Sequence, residues 1–339
     1  MTDDELTVLM IAATGESMIP IGRWKEPIEA LTRRGMMRAA NDMNYVITEA
    51  GCKAVRDEES SRDQDFAKAL RPSIPDTLKV DLTIKERNIK FDLTYDPNFI
   101  ADICTYSFMH KDGCCEPEVA HLMRRVVRPG DFVIDGGANI GFFTLLLSRL
   151  VGEQGHVEAF EPAVVNFNKL RRNLQLNRIE NVTAINRALW NEQADLMLYI
   201  AADTGLSCVA PFEHVVTTLP VKAITLDRWC LNYDQRPRLL KLDIEGAEEQ
   251  ALLGATGMLA KGIDFIVCEI NSIALSRFGS SQYDLRGLMQ RKGYEMFTLH
   301  ENGDEPTPVD PMASVEGPQN FNVLFSTQAK VREAWEVIF

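Results

Sequence analysis

From Asp131 onward the chain alternates short apolar runs with longer amphipathic stretches. Phe132 to Ile134, Val157 to Phe160, Val182 to Ile185, Leu239 to Leu242, Phe265 to Cys268 and Glu295 to Leu299 are runs of strand length. Most lack the period-2 alternation of a strand with one wet face, so they predict strands buried on both faces, as in a parallel sheet covered by helices. Between them, Ile140 to Leu150, Val164 to Asn177, Ala247 to Leu259 and Tyr283 to Lys292 carry apolar positions at helical spacing. This order predicts an α/β fold. Phe321 to Ser326 follows a connector too short and polar for a crossover helix. It is expected to add antiparallel, as a hairpin partner of Glu295 to Leu299.

Ahead of this core, Val80 to Ile84 and Ile89 to Tyr95 predict a β-hairpin that caps it. Residues 59–75 are rich in charge and serine and contain Pro72 and Pro75, so they read as a linker. Residues 1–58 have a pattern of their own. Leu6, Leu9, Met10 and Ala13 recur at helical spacing, as do Trp24, Ile28 and Leu31 before Gly35. Met36 to Ala40 and Tyr45 to Thr48 read as a hairpin, and Glu49 to Val55 as a further helix. The succession resembles a winged-helix module. The expected division is therefore a module at 1–58, a linker at 59–75 and a large domain at 76–339, with its hairpin at 80–95 and its core from 116.

Charge narrows the partners. The chain of 339 residues has 36 Lys and Arg against 49 Asp and Glu, a net charge of -13, which argues against nucleic acid or an anionic membrane as its main partner. The module shares the bias, with eight acids and six bases over residues 1–53. It is expected to serve dimerisation or lid packing, giving a homodimer, rather than DNA binding. No run reaches the roughly 18 apolar residues of a membrane span. Met1 to Glu5 lack the basic and apolar regions of a secretory signal, so a cytoplasmic location is expected. The 7 cysteines are odd in number and include no C-x-x-C, which predicts reduced thiols and no structural zinc.

Three motifs carry chemistry. Asp135-Gly136-Gly137-Ala138-Asn139-Ile140-Gly141 follows a strand and opens a helix. It matches neither the dinucleotide nor the triphosphate loop pattern, which argues against a nicotinamide-dependent oxidoreductase. D-x-G-x-N-x-G is the form found in class I S-adenosylmethionine-dependent methyltransferases. An acid at this turn suits a ligand with an ammonium and a sulfonium, where a pyrophosphate would be repelled. Glu161 ends the next strand, in the place where an acidic side chain accepts hydrogen bonds from ribose hydroxyls; it could instead cap the helix after Pro162. Lys241-Leu242-Asp243-Ile244-Glu245-Gly246-Ala247-Glu248 ends a buried strand, and alternation puts Lys241, Asp243 and Glu245 on one side. Three ionisable groups at a strand end are costly unless paired or used; a Lys241–Asp243 ion pair that only orients the loop is the plainer alternative.

With Ala159-Phe160-Glu161-Pro162, Leu170, Asn173 and Asn177, Ala188-Leu189, Thr225-Leu226-Asp227 and Cys268-Glu269-Ile270-Asn271, these blocks resemble the FkbM family of methyltransferases over about residues 100 to 300. Gly136 stands where that family more often has valine. The resemblance implies a class I methyltransferase, Rossmann-like sheet, S-adenosylmethionine as cofactor and O-methylation of a small-molecule acceptor, a hydroxyl of a sugar or secondary metabolite. It implies that Asp135, Gly137, Asn139, Gly141 and Glu161 hold the cofactor, with the backbone of Ala188 near the adenine. Asp243 and Glu245, beside Lys241, would face the acceptor. Either could be a general base, worth roughly 10² to 10⁴ in rate, or the two could bind Mg²⁺; the neighbouring Lys241 favours the version without metal. His214, in a segment from Thr204 to Thr218 expected over the site, is a weaker base, and Glu269 and Asn271 contact the acceptor or cap the next segment. An N-methyltransferase and a cofactor-sensing transcriptional regulator are the other readings.

Overall fold

The computed structural model describes residues 33–34, 37–39, 45–47, 77–84, 87–94, 114–201, 207–211, 215–232, 235–310 and 320–336. The chain forms two compact units, Met1–Ser73 and Ile74–Phe339. In the first, β1 (Met37–Ala39) and β2 (Tyr45–Ile47) pair antiparallel, with Arg38 opposite Val46, where the sequence predicts a hairpin. The helices of the winged-helix reading and the linker lie outside the described residues.

The second unit opens with β3 (Thr77–Ile84) and β4 (Arg87–Thr94), an antiparallel hairpin. There follow α1 (Pro117–Val126), β5 (Phe132–Gly136), α2 (Phe142–Val151), β6 (His156–Phe160), α3 (Val164–Leu176) and β7 (Val182–Ile185). A side ribbon comprises β8 (Ala188–Leu189), β9 (Asp195–Ala201), β10 (Ser207–Cys208) and β11 (Val215–Ile224). The chain then makes α4 (Leu226–Trp229), β12 (Leu239–Leu242), α5 (Glu248–Leu253), α6 (Thr256–Lys261), β13 (Phe265–Asn271), α7 (Ser272–Ser276) and α8 (Gln282–Arg291). It closes with β14 (Glu295–Thr298), β15 (Thr307–Pro308), β16 (Asn320–Ser326) and α9 (Gln328–Glu336).

The main sheet runs β15-β14-β16-β13-β12-β5-β6-β7. Strands β13, β12, β5, β6 and β7 are parallel; the inner ones are buried on both faces, with Val133, Ile134, Leu239, Leu240, Ile266 and Val267 fully enclosed, while β7 at the sheet edge is half-buried. Burying each such side chain stabilises the fold by about 1.5–3 kcal/mol. β16 is antiparallel and pairs with β14 as predicted, but it also pairs with β13 and so sits between them. Val323, Leu324 and Phe325 are all buried, and a strand apolar on both faces is spent at a sheet edge.

Two other expectations change. The stretch 247–259 is broken into α5 and α6 at Gly254, where a Cβ would lie 2.1 Å from the Trp190 carbonyl oxygen. Asp227 then caps α6 from outside, accepting from the Gly257 and Met258 N–H groups at 2.7 and 2.8 Å. In the described part of the segment from 204 to 218, for which the sequence predicts no strand, β10 and β11 both pair with β9. His214 lies outside the described residues.

The β3–β4 hairpin docks through asparagines. Asn177 accepts from the Asp92 N–H at 2.8 Å and donates to the Asp92 carbonyl at 2.6 Å. Asn173 accepts from Thr94 through its N–H and hydroxyl, and donates to the Ile140 carbonyl at 2.8 Å. Wholly buried, Asn173 thus ties the hairpin, α3 and the glycine-rich turn together.

Candidate active site

In an open α/β sheet the ligand crevice lies beyond the carboxyl ends of the strands, where the order reverses. Here that point is between β5 and β12, neighbours from which the chain runs outward in opposite directions. The turn after β5 fills it closely. Gly137 has φ +80°, and a Cβ there would lie 1.8 Å from the Asp243 carbonyl oxygen. Its N–H and that of Ala138 donate to the Phe160 carbonyl at 3.0 and 2.9 Å, while Asp243 N–H donates to Gly136 at 3.1 Å. Gly141, at φ +100°, faces Leu170, which a Cβ would meet at 2.6 Å. The turn between them bends through Asn139 in the left-handed region, φ +49°.

Glu161 stabilises this bend from β6. One oxygen accepts the Asn139 N–H at 2.8 Å and the other the Ala163 N–H at 2.9 Å. Burial pushes its pKa up to about 7, against the pull of the Ala163 and Asn139 N–H groups. This carboxylate thus shapes the turn before α3, whose N-cap Ala163 has no side-chain cap bond, and it also lines the crevice.

The crevice has about 710 Å³ of empty space, part of it open solvent. Gly137, Asn139, Glu161, Ala188, Asp243 and Glu245 lie on its wall, with Phe160, Leu189 and Leu198 as apolar surface. The lining suits S-adenosylmethionine in its chemistry, with apolar surface at Phe160, Leu189 and Leu198 and carboxylates at Glu161, Asp243 and Glu245 for a cationic, hydroxyl-bearing ligand. Asp135, Gly141 and Lys241 do not line it. Asp135 is wholly buried, accepts the Thr144 hydroxyl at 2.6 Å and faces Lys241 Nζ at 3.9 Å.

Next to Asp243 on the crevice lining, the structure gathers acids around one buried lysine. Lys241 is 1% exposed; its Nζ donates to Asp243 Oδ2 at 3.0 Å and lies 5.1 Å from the centre of the Phe143 ring. Burial alone would lower its pKa, but Asp243, Asp135 and Glu116 together hold it above the usual lysine range. Glu245 follows in the left-handed region, φ +57°. Burial, then the charges of Asp243 and Glu248, raises its carboxyl well above the ordinary value. Glu269, on β13, is raised in the same way by burial and by Asp243, Glu245 and Glu248. Glu248 is 1% exposed and accepts from the Ile244 and Gly246 N–H groups at 3.0 and 3.2 Å; burial pushes it up to about 7.

Lys241, Asp243 and Glu245 are thus brought together as predicted, and the Lys241–Asp243 ion pair exists. Sequence reasoning missed Glu116, held by Asn322 at 3.0 Å and acting electrostatically on Lys241. It also missed Thr144 and Arg277, the latter a cation acting on Glu245. Glu116 stands in a turn before Pro117, outside any periodic pattern. Only Thr144 had a signal, a hydroxyl on an otherwise apolar stretch of α2.

The family model of the methyltransferase FkbM domain matches residues 135–296, the span from the acid of the glycine-rich turn through β14. "Methyltransferase 1" of Beauveria bassiana (strain ARSEF 2860) is 30% identical over 160 residues, which cover 41% of this chain and 64% of that one. The 31-O-demethyl-FK506 methyltransferase FkbM of Streptomyces tacrolimicus is 49% identical over 53 residues, 16% of this chain and 20% of its own. The match thus spans less than two thirds of either relative. Among solved structures, the methyltransferase FkbM of Methylobacillus flagellatus KT aligns at a TM-score of 0.36 and 18% identity, covering 69% of this chain and 56% of its own. Residues 135–296, just under half of the chain, are thus similar to the methyltransferase FkbM domain.

Proposed function

We propose that the protein is an S-adenosylmethionine-dependent O-methyltransferase whose acceptor is a hydroxyl of a sugar or secondary metabolite. The observation that carries this reading is one crevice lined by Glu161 together with Asp243 and Glu245. S-adenosylmethionine, when bound, supplies a methyl carbon already activated by its sulfonium. The chain's own task is alignment, which can contribute about 7–11 kcal/mol toward the barrier. Gly137, Asn139 and Glu161 would hold the donor, and the Ala188 backbone would face its purine. Asp135 would act at one remove, fixing α2 through Thr144 and Lys241 on β12. Asp243 and Glu245 would orient the acceptor by accepting its hydroxyl hydrogen, and Lys241 would keep Asp243 in place. The Streptomyces relative is named for a 31-O-demethyl substrate, a name that puts the methyl on oxygen.

The test is transfer from methyl-labelled donor to a panel of sugars, polyketide alcohols and matched amines. Label on the oxygen of an alcohol is expected. Label confined to the amines would overturn the oxygen assignment.

A further inference from the structure

Asp243, Glu245 and Glu269 each present a carboxylate oxygen within 4.8 Å of the others. They stand on adjacent parallel strands or the turn leaving one of them, since β12 pairs with β13 up to Leu242 opposite Cys268. Proximity of acids alone would mean little, but their oxygens are not satisfied by the protein. Glu245 Oε2 and Glu269 Oε2 are buried and accept no hydrogen bond, and Glu248 Oε2, on the 1% exposed side chain whose charge acts on both, is also without a partner. Lys241 and Arg277 act on Glu245 electrostatically, but Lys241 is itself ion-paired with Asp243 Oδ2 and Asp135 Oδ1, and burial outweighs both cations. Buried, unpartnered carboxylate oxygens are costly without a counter-charge.

We infer that Asp243, Glu245 and Glu269 form a site for a hard divalent cation at the acceptor end of the crevice. All donors are carboxylate oxygens, the set that suits Mg²⁺, Ca²⁺ or Mn²⁺ over zinc or copper. Their spacing agrees: ligands on opposite sides of such an ion lie about 4.2 Å apart for Mg²⁺ and about 4.8 Å for Ca²⁺. Asp243 and Glu245 also line the crevice, so the ion would have open positions facing the acceptor. It would take one or two acceptor oxygens and lower the pKa of the attacking hydroxyl. The three carboxylates then act as ligands, and the hydroxyl proton passes to water. The O–CH₃ bond forms as the S–CH₃ bond breaks, its electron pair returning to sulfur. The step rests on the methyltransferase reading above; the binding site does not.

The test is titration of the full chain with Mn²⁺, read by loss of the free-ion paramagnetic resonance signal, on wild type, Glu269→Gln and Glu245→Gln. Binding of S-adenosylhomocysteine and thermal melting are measured on the same samples. One Mn²⁺ per chain is expected, weakened at least about tenfold in either variant, with nucleoside binding and melting retained. No stoichiometric Mn²⁺ uptake by wild type, or equal uptake by a folded Glu269→Gln or Glu245→Gln chain, would overturn the site. Failure of wild type to bind S-adenosylhomocysteine would instead count against the donor crevice and leave the Mn²⁺ result to stand by itself.

Discussion

Replacing Lys241 with methionine removes the buried cation that separates Asp135 from Asp243. Methionine keeps most of the stem's volume and its contact with Phe143, so the change is chiefly one of charge. Asp135 is 0% exposed and Lys241 1%, and breaking a buried pair by deleting one partner costs about 3–5 kcal/mol. At 2–4 °C per kcal/mol for a domain of this size, the melting temperature at pH 8 should fall by about 6–20 °C. The loss should shrink toward pH 5. Burial already raises the Asp135 carboxyl against the pull of Lys241, so without the lysine it takes up a proton sooner. A carboxyl raised on folding stabilises below its unfolded pKa and loses that contribution as pH rises. Adding Asp135→Asn should restore part of the loss, because an amide oxygen can still accept from Thr144 without a buried charge. Calorimetric melts of the two single variants and the double variant at both pH values decide the matter. A Lys241→Met protein melting within about 2 °C of wild type at pH 8, or a double variant no better than Lys241→Met, would refute the pairing.

Gly137→Ala should weaken S-adenosylmethionine binding, since the new Cβ must move over 1 Å from the Asp243 carbonyl and carry the turn with it; calorimetry showing an unchanged Kd for a folded variant would contradict this. Glu248→Gln should flatten the fall in stability with pH. The acid's folded pKa of about 7 lies above its unfolded value of 4.5, so its contribution is full below pH 4.5 and is lost by pH 8, a difference of about 3 kcal/mol. Denaturant melts at pH 5 and 8 that show the same slope in wild type and Glu248→Gln would count against it.

The parallel core was legible because strands covered on both faces are mostly apolar: β5, β6, β7, β12 and β13 all lie within a few residues of the runs that predict them. The glycine-rich turn was legible for a related reason, as positive φ and close backbone approach demand glycine at Gly137. The position of β16 was not, because pairing on both sides is a tertiary choice that Val323, Leu324 and Phe325 permit without naming the partners. The break at Gly254 was hidden too, set by a carbonyl sixty-four residues earlier at Trp190. In the site, Lys241, Asp243 and Glu245 could be read from alternation along one strand. Glu269 was legible as a strand-end acid, though not its closeness to Asp243 and Glu245, and Glu116 joins them from a distant turn that leaves no periodic trace.

The most direct test of the donor crevice is titration of wild type and Glu161→Gln with S-adenosylmethionine, beside a melting control. Glutamine keeps one acceptor oxygen for the turn and loses the charge. Wild type should bind one equivalent, and Glu161→Gln should bind about 10- to 150-fold more weakly, the effect of losing hydrogen bonds to a charged group. A folded Glu161→Gln chain with wild-type affinity would place the donor elsewhere.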